Sequence, residues 1–318
     1  SQGSDDTTDR RSLMGIRIRT NVASINAQRR LAVSTGKLSD TMSKLASGSR
    51  INKAADDAAG LAISDNMRAD MRSLGQARRN ANDGISLVQT AEGGLNETAN
   101  MLTRLRELAV QAASDTVGET ERGFVDKEYV ALKDEIDRIA NSTEFNGTRL
   151  LIGEGDTPEG VANPDGTFPL EIQVGKDFYE GADDVSEANQ VNIIKIDLNK
   201  LNAFTDGEGS LGLGKAEEGT RVTTKSSAQN SIAVVDGAIT KINDYRSYLG
   251  AMQNRLGSAE RNLGVQIENV SAAKSRIRDT DFAAETANMT QNSILQQAGA
   301  SVLSQANTQP QIALKLLG

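Results

Sequence analysis

The sequence predicts a mainly α-helical protein, organised as a long coiled-coil or bundle rod that carries a small β-hairpin region. Three observations lead to this prediction. Apolar residues recur every seventh position over two long segments, one short middle region alternates like strands, and only 3% of the residues are aromatic. Heptad repeats of apolar residues are typical of helices that lie against other helices. Thin helical rods can build their cores from aliphatic side chains without large rings.

The strongest repeat runs from Val235 to Ile277. At about 1.5 Å per residue, such a helix would be about 60 Å long. A helix in an ordinary bundle would account for the repeat but not for this length. Gly250, Gly257 and Gly264 recur at the same spacing, and each should cost about 1 kcal/mol of helix propensity relative to Ala. We therefore expect these glycines to allow a close approach of two backbones. The heptad positions are Val235, Ile242, Leu249, Leu256, Leu263, Val270 and Ile277.

Residues 1–13 are polar and without periodicity, and Met14 resembles a natural start. We expect this segment to be disordered, either as an upstream extension or as a remnant of cloning. A helix is predicted from Thr20 to Ser47, because leucines recur at heptad spacing. Gly48 follows at the position of a helix C-cap. The leucines are Leu31, Leu38 and Leu45.

A second long helix is predicted over Met67–Ala109, and a shorter one follows Gly118. The long one repeats every seventh residue, and companion positions such as Ile63 and Ala77 fill its second row. The shorter one shows apolar spacings of four and three up to Ile139. A turn is predicted at Phe145-Asn146-Gly147. The long repeat is Met67, Leu74, Ala81, Val88, Leu95, Leu102 and Ala109.

From about 150 to 219 the helical period stops, and glycine becomes frequent. Phe168–Val174 alternates apolar and polar residues, and Val191–Leu198 does so less regularly. These runs predict two strands, with a loop from Gly175 to Asn189 between them. The region is too short to form a separate large domain.

The segment Thr286–Leu314 contains no charged residue, although Gln, Asn, Ser, Thr and Ala dominate it. It is too polar for a bilayer and lacks the charges of a well-solvated surface helix. An apolar stripe that includes Leu295, Val302 and Leu303 indicates a helix covered by neighbouring copies in an assembly. A disordered Gln- and Asn-rich tail is the alternative interpretation.

The composition argues against an enzyme. The chain has no cysteine and no histidine, so thiolate catalysis, disulfides and the commonest general base are excluded. The net charge of −8 argues against nucleic acid as a partner, and no apolar run is long enough for membrane insertion. The adjacent carboxylates Asp56–Asp57 and Asp183–Asp184 have no such partner residues beside them. We interpret the first pair as helix-start residues, and expect no catalytic, metal or cofactor site.

Six blocks of sequence cover both chain ends and nearly all helical parts. They are Leu45–Asn52, Asp56–Gly60, Arg79–Ser86, Leu102–Gln111, Ser275–Asp281 and Leu295–Gly299. Together these blocks resemble the bacterial flagellins, in that family's order and spacing. The resemblance implies an inner coiled-coil domain, formed by pairing of the terminal helices in 14–47 and 285–318. It also implies a helical rod domain in 48–284 with the β region beside it, and little or no outer domain.

The resemblance implies a secreted structural subunit that polymerises into the flagellar filament for motility, after type III export without a cleaved signal. Its partners would be other copies of itself, an export chaperone, and the filament cap and junction proteins. A hook–filament junction protein, which resembles flagellin at both ends, is the alternative. The polymerisation residues would be Leu31, Leu38, Leu45, Leu295, Ala298, Val302, Leu303, Leu314 and Leu317.

The resemblance also implies a contact with the Toll-like receptor that senses some flagellins. Matching residue by residue points to Arg104, Leu108 and Glu128. Arg104 and Leu108 are four residues apart, so both fall on one face of the predicted helix, off its main repeat. The alternative is that these residues serve filament contacts only, and that Leu108 widens the packing stripe.

Overall fold

A computed structural model describes residues 20–153, 163, 167–177, 191–207, 209–215 and 219–317, with side chains up to residue 308 in the last helix. The described chain is mainly helical with a small β region, which confirms the predicted fold class. The predicted extension 1–13, Asp183, Asp184 and most of the predicted loop after Gly175 lie outside the described residues. The helices are α1 (Val22–Ser47), α2 (Ala58–Ala112), α3 (Glu119–Ser142), α4 (Lys225–Arg278) and α5 (Phe282–Leu317).

The described strands form two antiparallel pairs. Asn146 and Gly147 connect the first pair with φ angles of 50° and 79°. A two-residue hairpin turn of type I′ requires positive φ at both positions, which explains the Asn-Gly sequence. The second pair confirms both strands predicted between 150 and 219, although each is shorter than expected. β1 (Glu144–Phe145) pairs with β2 (Thr148–Arg149), and β3 (Leu170–Gln173) pairs with β4 (Ile193–Ile196).

The described residues divide into two compact units. The terminal unit comes from Ser1–Met67 and Ala272–Gly318, and the central unit comes from Arg68–Ser271. Both α2 and α4 contribute residues to each unit. The division into an inner domain (14–47 with 285–318) and a rod domain (48–284) stays a prediction about the assembled filament.

The core of the central unit is built from the two heptad repeats. In α2 the repeat is buried from Leu74 to Ala109, and in α4 from Val235 to Leu263. Tyr129 of α3 lies fully buried in the same cluster. The remaining core is mostly aliphatic, with Phe204 as its buried aromatic ring, and includes residues of the β region and of the segment after it. The unit therefore packs with few aromatic rings. These residues include Leu150, Leu151, Ile152, Ile196, Leu198, Leu201, Phe204, Leu211 and Leu213.

Two expectations about the long helices are wrong. A Cβ built on Gly250 or Gly264 meets no described atom within 4 Å, and one on Gly257 meets only the Arg261 Nη1, at 3.6 Å. These glycines therefore allow no close backbone approach within the chain. Each follows an a-position residue of the heptad and so occupies the b position, on the outer side of the helix. Ile63, which was expected to extend the second row of α2, is 48% exposed.

In the terminal unit, the connections α1–α2 and α4–α5 lie side by side. α1 ends at Gly48, whose φ of 66° is left-handed, as expected of a helix C-cap glycine. The Arg50 amide donates to the carbonyl of Arg278 at 2.6 Å, and the Thr280 amide donates to the carbonyl of Gly48 at 3.1 Å. Ser49 and Asp279 form an antiparallel bridge between these bonds. The end of α1 is thereby held beside the start of α5.

Candidate functional site

The terminal helices α1 and α5 pack antiparallel, which confirms the expected pairing of the chain ends. The residues buried between them are small: Ser24, Ala27 and Thr41 on α1 and Ala306 on α5. Hydroxyl and amide groups link the helices over their length. The bonds run from Asn21 Nδ2 to the Ala306 carbonyl (2.8 Å), from Ser24 Oγ to Asn307 Oδ1 (2.7 Å), and from Ser34 Oγ to the Asn292 carbonyl (3.5 Å).

Several large apolar side chains of this pair remain in contact with solvent. Leu295 is 50% exposed and Val302 is 57% exposed, both on α5. Of the other predicted polymerisation residues, Ala298 is exposed, while Leu31, Leu38, Leu45 and Leu303 are half-buried. Leu314 and Leu317 lie in the last turns of α5, beyond the described side chains.

Four of these residues, Leu31, Leu295, Ala298 and Val302, line an open groove of about 670 Å³, which we call the apolar groove. Gly299 of α5 lies beside Leu31 of α1: a Cβ built on Gly299 would stand 3.4 Å from the Leu31 Cδ1, which is an ordinary van der Waals contact. A partner that filled the groove would bury its apolar lining, at about 25 cal/mol per Å² of apolar surface. The groove is lined by Ala27, Arg29, Arg30, Leu31, Val33, Ser34, Lys37, Asn292, Leu295, Ala298, Gly299 and Val302.

Three cations border this groove, Arg29, Arg30 and Lys37, and none of them was predicted as a site residue from the sequence. All three are exposed and belong to α1, whereas the α5 side of the groove carries no charge. A signal was present, because Arg30 and Lys37 each immediately precede a leucine of the α1 repeat and so recur with the same period. Exposed cations on a helix are common, and only the structure shows that these border an apolar groove.

The residues matched to receptor binding lie in the central unit, on α2 and α3. Arg104 donates through Nη2 to Glu128 Oε1 at 2.8 Å and through Nη1 to Glu107 Oε2 at 2.9 Å. The bond to Glu128, followed by that to Glu107, raises the pKa of Arg104. About half of each side chain of Arg104 and Glu128 is exposed. Leu108, by contrast, is 1% exposed and belongs to the core, so it widens the packing stripe of α2.

Asp56 and Asp57 have local roles at the start of α2. Asp56 Oδ2 accepts the amides of Lys53 (2.9 Å) and Asn52 (3.0 Å), and these two hydrogen bonds lower the pKa of its carboxyl group. Asp57 Oδ1 accepts the Gly60 amide at 2.9 Å, as a helix-capping residue does. This arrangement agrees with the helix-start interpretation.

The described residues contain no group of three or more acidic side chains placed to hold a metal ion, in a chain without His or Cys. Nor is any helix, among the residues that could be searched, long and apolar enough to cross a bilayer.

The structure also reveals buried charges that no pattern in the sequence had singled out. Lys133 of α3 is fully buried, and its Nζ donates to the carbonyls of Lys215 (3.0 Å) and Thr220 (3.2 Å). Burial lowers the pKa of Lys133. Asp126 pairs with Arg221 and accepts the Val222 amide at 2.9 Å. These contacts tie the segment that precedes α4 to α3, so they have a structural role.

Comparison with known proteins gives consistent matches at both ends of the chain. The profile of the bacterial flagellin N-terminal helical region matches residues 18–156, and that of the bacterial flagellin C-terminal helical region matches residues 232–317. Flagellin C of Vibrio cholerae serotype O1 is 38% identical over an alignment 378 positions long, and the alignment covers 96% of this chain and 100% of that protein. A flagellin of Halalkalibacterium halodurans is 41% identical over 300 residues, which cover 94% of this chain and 99% of that protein. A crystal structure of Bacillus cereus flagellin, at 31% identity, covers 62% of this chain and 94% of its own, with a TM-score of 0.42.

Proposed function

This chain belongs to the bacterial flagellin family of structural filament subunits, and we propose that it polymerises through the α1–α5 pair of its terminal unit. Membership of the family makes it a compact flagellin of the extracellular flagellar filament, which serves motility. The observation that supports the proposed surface is the apolar groove, where Leu295 and Val302 stay half-exposed on a helix without charge from 286 to 314. A helix of this kind is stabilised when neighbouring copies cover its apolar side chains.

The test is polymerisation of the purified chain, followed by sedimentation and by helical imaging of the product. We expect long filaments in which α1 and α5 form the innermost contacts. A chain that stays monomeric at high concentration, or filaments in which α1 and α5 touch no neighbouring subunit, would contradict the proposal.

A hook–filament junction protein is the alternative within the same assembly. The two functions differ in copy number, since a filament subunit makes up most of the mass of purified filaments and a junction protein only a trace. Quantitative mass spectrometry of filaments would separate them. By resemblance, the transient partners of either protein would be an export chaperone and the filament cap.

We further propose that Arg104 and Glu128 contribute to a surface recognised by the flagellin-sensing Toll-like receptor, with Leu108 supporting that surface from the core. The favouring observation is that Arg104, Glu107 and Glu128 form one exposed, hydrogen-bonded cluster. Arg104→Ala should reduce receptor signalling without changing the melting temperature. Arg138→Ala, which removes a similarly exposed arginine hydrogen-bonded to Glu135, is the control. Equal signalling by wild type and Arg104→Ala would contradict the proposal.

A further inference from the structure

The apolar groove carries positive charge that the described chain does not neutralise. Arg29, Arg30 and Lys37 are exposed along one side of it, and no described carboxylate lies within 4 Å of any of them. Among the described residues, the side chain of Arg29 donates from Nη2 to the amide oxygen of Asn26, at 3.1 Å. An occupant that suits this groove therefore combines apolar surface with carboxylates.

A complementary element lies at the other end of the same helix pair, around Phe282. This side chain is 58% exposed, although it is aromatic. Asp279, Asp281 and Glu285 surround it in sequence, and none forms an ion pair with a described cation. Asp281 caps α5 through one carboxylate oxygen, Oδ1, and Arg278 is engaged in an ion pair elsewhere in the terminal unit. We call these four residues, 279, 281, 282 and 285, the Phe282 corner.

The two surfaces cannot meet within one subunit. Phe282 lies beside the end of α1, since its Cε2 stands 4.0 Å from a Cβ built on Gly48. The groove lies around Leu31, which is 17 residues earlier in α1. At 1.5 Å per residue, this places them about 25 Å apart along the helix.

We propose that the Phe282 corner of one subunit docks into the apolar groove of a second copy of this chain. Phe282 would bury its ring against the Leu31 and Val302 side chains, and the three carboxylates would face Arg29, Arg30 and Lys37. The inference rests on the proposed function. Beyond that function, it specifies which two surfaces are in contact, and it predicts an axial offset of about 25 Å between the two subunits.

A contact between two different surfaces is heterologous, so it leaves a free groove at one end and a free corner at the other. Contacts of this type generate open helical polymers when the rotation does not close into a ring. The exposed charges mainly accelerate association and set its register, whereas burial of Phe282 provides affinity. Salt screens these charges, so we expect polymer growth to slow as the salt concentration rises.

The test compares charge-reversed full-length chains. A groove variant carries Arg30→Glu and Lys37→Glu, a corner variant carries Asp279→Lys and Glu285→Lys, and a third carries all four changes. The control, Arg72→Glu with Arg79→Glu, makes the same change in net charge as the groove variant, on exposed α2 residues of the central unit. Polymer growth is followed by light scattering and sedimentation, and circular dichroism verifies that each variant keeps its helical content.

We expect the groove and corner variants each to grow at least about tenfold more slowly, and the fourfold variant and the control to grow within about threefold of wild type. Wild-type growth of the groove variant would overturn the inference, and would be the result if another protein occupied the groove. Loss of growth in both variants without recovery in the fourfold variant would overturn the pairing of these surfaces. If the wild type still polymerises, that result would overturn only the pairing of these two surfaces and would leave the proposed function unchanged.

Discussion

Gly94 of α2 faces Leu151 so closely that a Cβ built on Gly94 would stand 2.7 Å from the Leu151 Cδ1. The same Cβ would lie 2.6 Å from Thr143 Oγ1. Leu151 is fully buried, so it has little room to move aside. The neighbouring glycine, Gly93, has open space at its Cβ position. Two adjacent glycines in one helix thus have different reasons to be glycine.

Alanine substitution should therefore have opposite effects at these two positions. Gly94→Ala should lower the free energy of unfolding by about 1–3 kcal/mol, because the core must shift to accept a methyl group. Gly93→Ala should raise it by up to about 1 kcal/mol, because alanine is the better helix former. Urea unfolding followed by circular dichroism measures both. A rise in the free energy of unfolding for Gly94→Ala as well would show that Gly94 is not sterically restricted.

Gly257 provides a test of the corrected view of the heptad-spaced glycines. Since its Cβ position is open except for Arg261, Gly257→Leu should leave the subunit folded and should raise the free energy of unfolding by somewhat less than about 1 kcal/mol. A fall in subunit stability, measured by urea unfolding, would support the close backbone approach that was expected from the sequence. If the subunit gains stability but no longer polymerises, Gly257 contacts a neighbouring subunit.

Lys133 should make stability depend on pH in the alkaline range. Burial lowers its pKa in the folded state below the ordinary value of 10.5. Between these two pKa values the unfolded chain binds more protons than the folded chain, so stability rises with pH across this window. The wild type should therefore gain stability relative to Lys133→Met as the pH approaches 10.5.

Denaturant unfolding over a pH series provides this comparison. Lys127→Met, at an exposed position of the same helix, is the control for the change from lysine to methionine. A difference between wild type and Lys133→Met that stays constant with pH would contradict the prediction.

Val302→Asp should abolish polymerisation and leave the central unit folded. In the assembled contact Arg29, Arg30 and Lys37 would already face the carboxylates of the Phe282 corner, so the new carboxylate would lose water without gaining a cation of its own. We expect this to cost several kcal/mol in a tightly packed contact. Val265→Asp is a matched control, because Val265 is also 57% exposed but lies on α4 in the central unit. Sedimentation measures polymer, and the cooperative melt measures the fold. Normal filaments from Val302→Asp would show that the α5 stripe is not an assembly surface.

The terminal helices should be far more sensitive to protease in the monomer than in the filament. The residues of α1 that α5 buries are small, so the pair gains little from apolar burial by itself and depends on association for order. Limited proteolysis of monomer should trim both ends and spare the segment from Asp57 to Ile277. Equal protection of the ends in monomer and filament would refute this coupling.

Local signals in the sequence were sufficient to predict that the helices exist and where α1 ends, whereas α2 and α4 begin about ten residues before their predicted repeats. The heptad repeats identify α2 and α4, because a helix that lies along partner helices must bury one row of residues. Gly48 and the Asn146-Gly147 turn were predictable because their backbone conformations favour glycine and asparagine. The apolar, uncharged α5 stripe likewise needed no tertiary information.

What surrounds each helix was decided only by the tertiary structure. Leu108 is buried although it is off the main repeat, because α2 packs against both α3 and α4, as the contacts of Arg104 with Glu128 and of Arg106 with Asp236 show. The same periodicity cannot distinguish Gly250, which faces open space, from a glycine in contact. Burial depends on residues far away in the chain, and a repeat along one helix contains no information about the partner that covers its other faces.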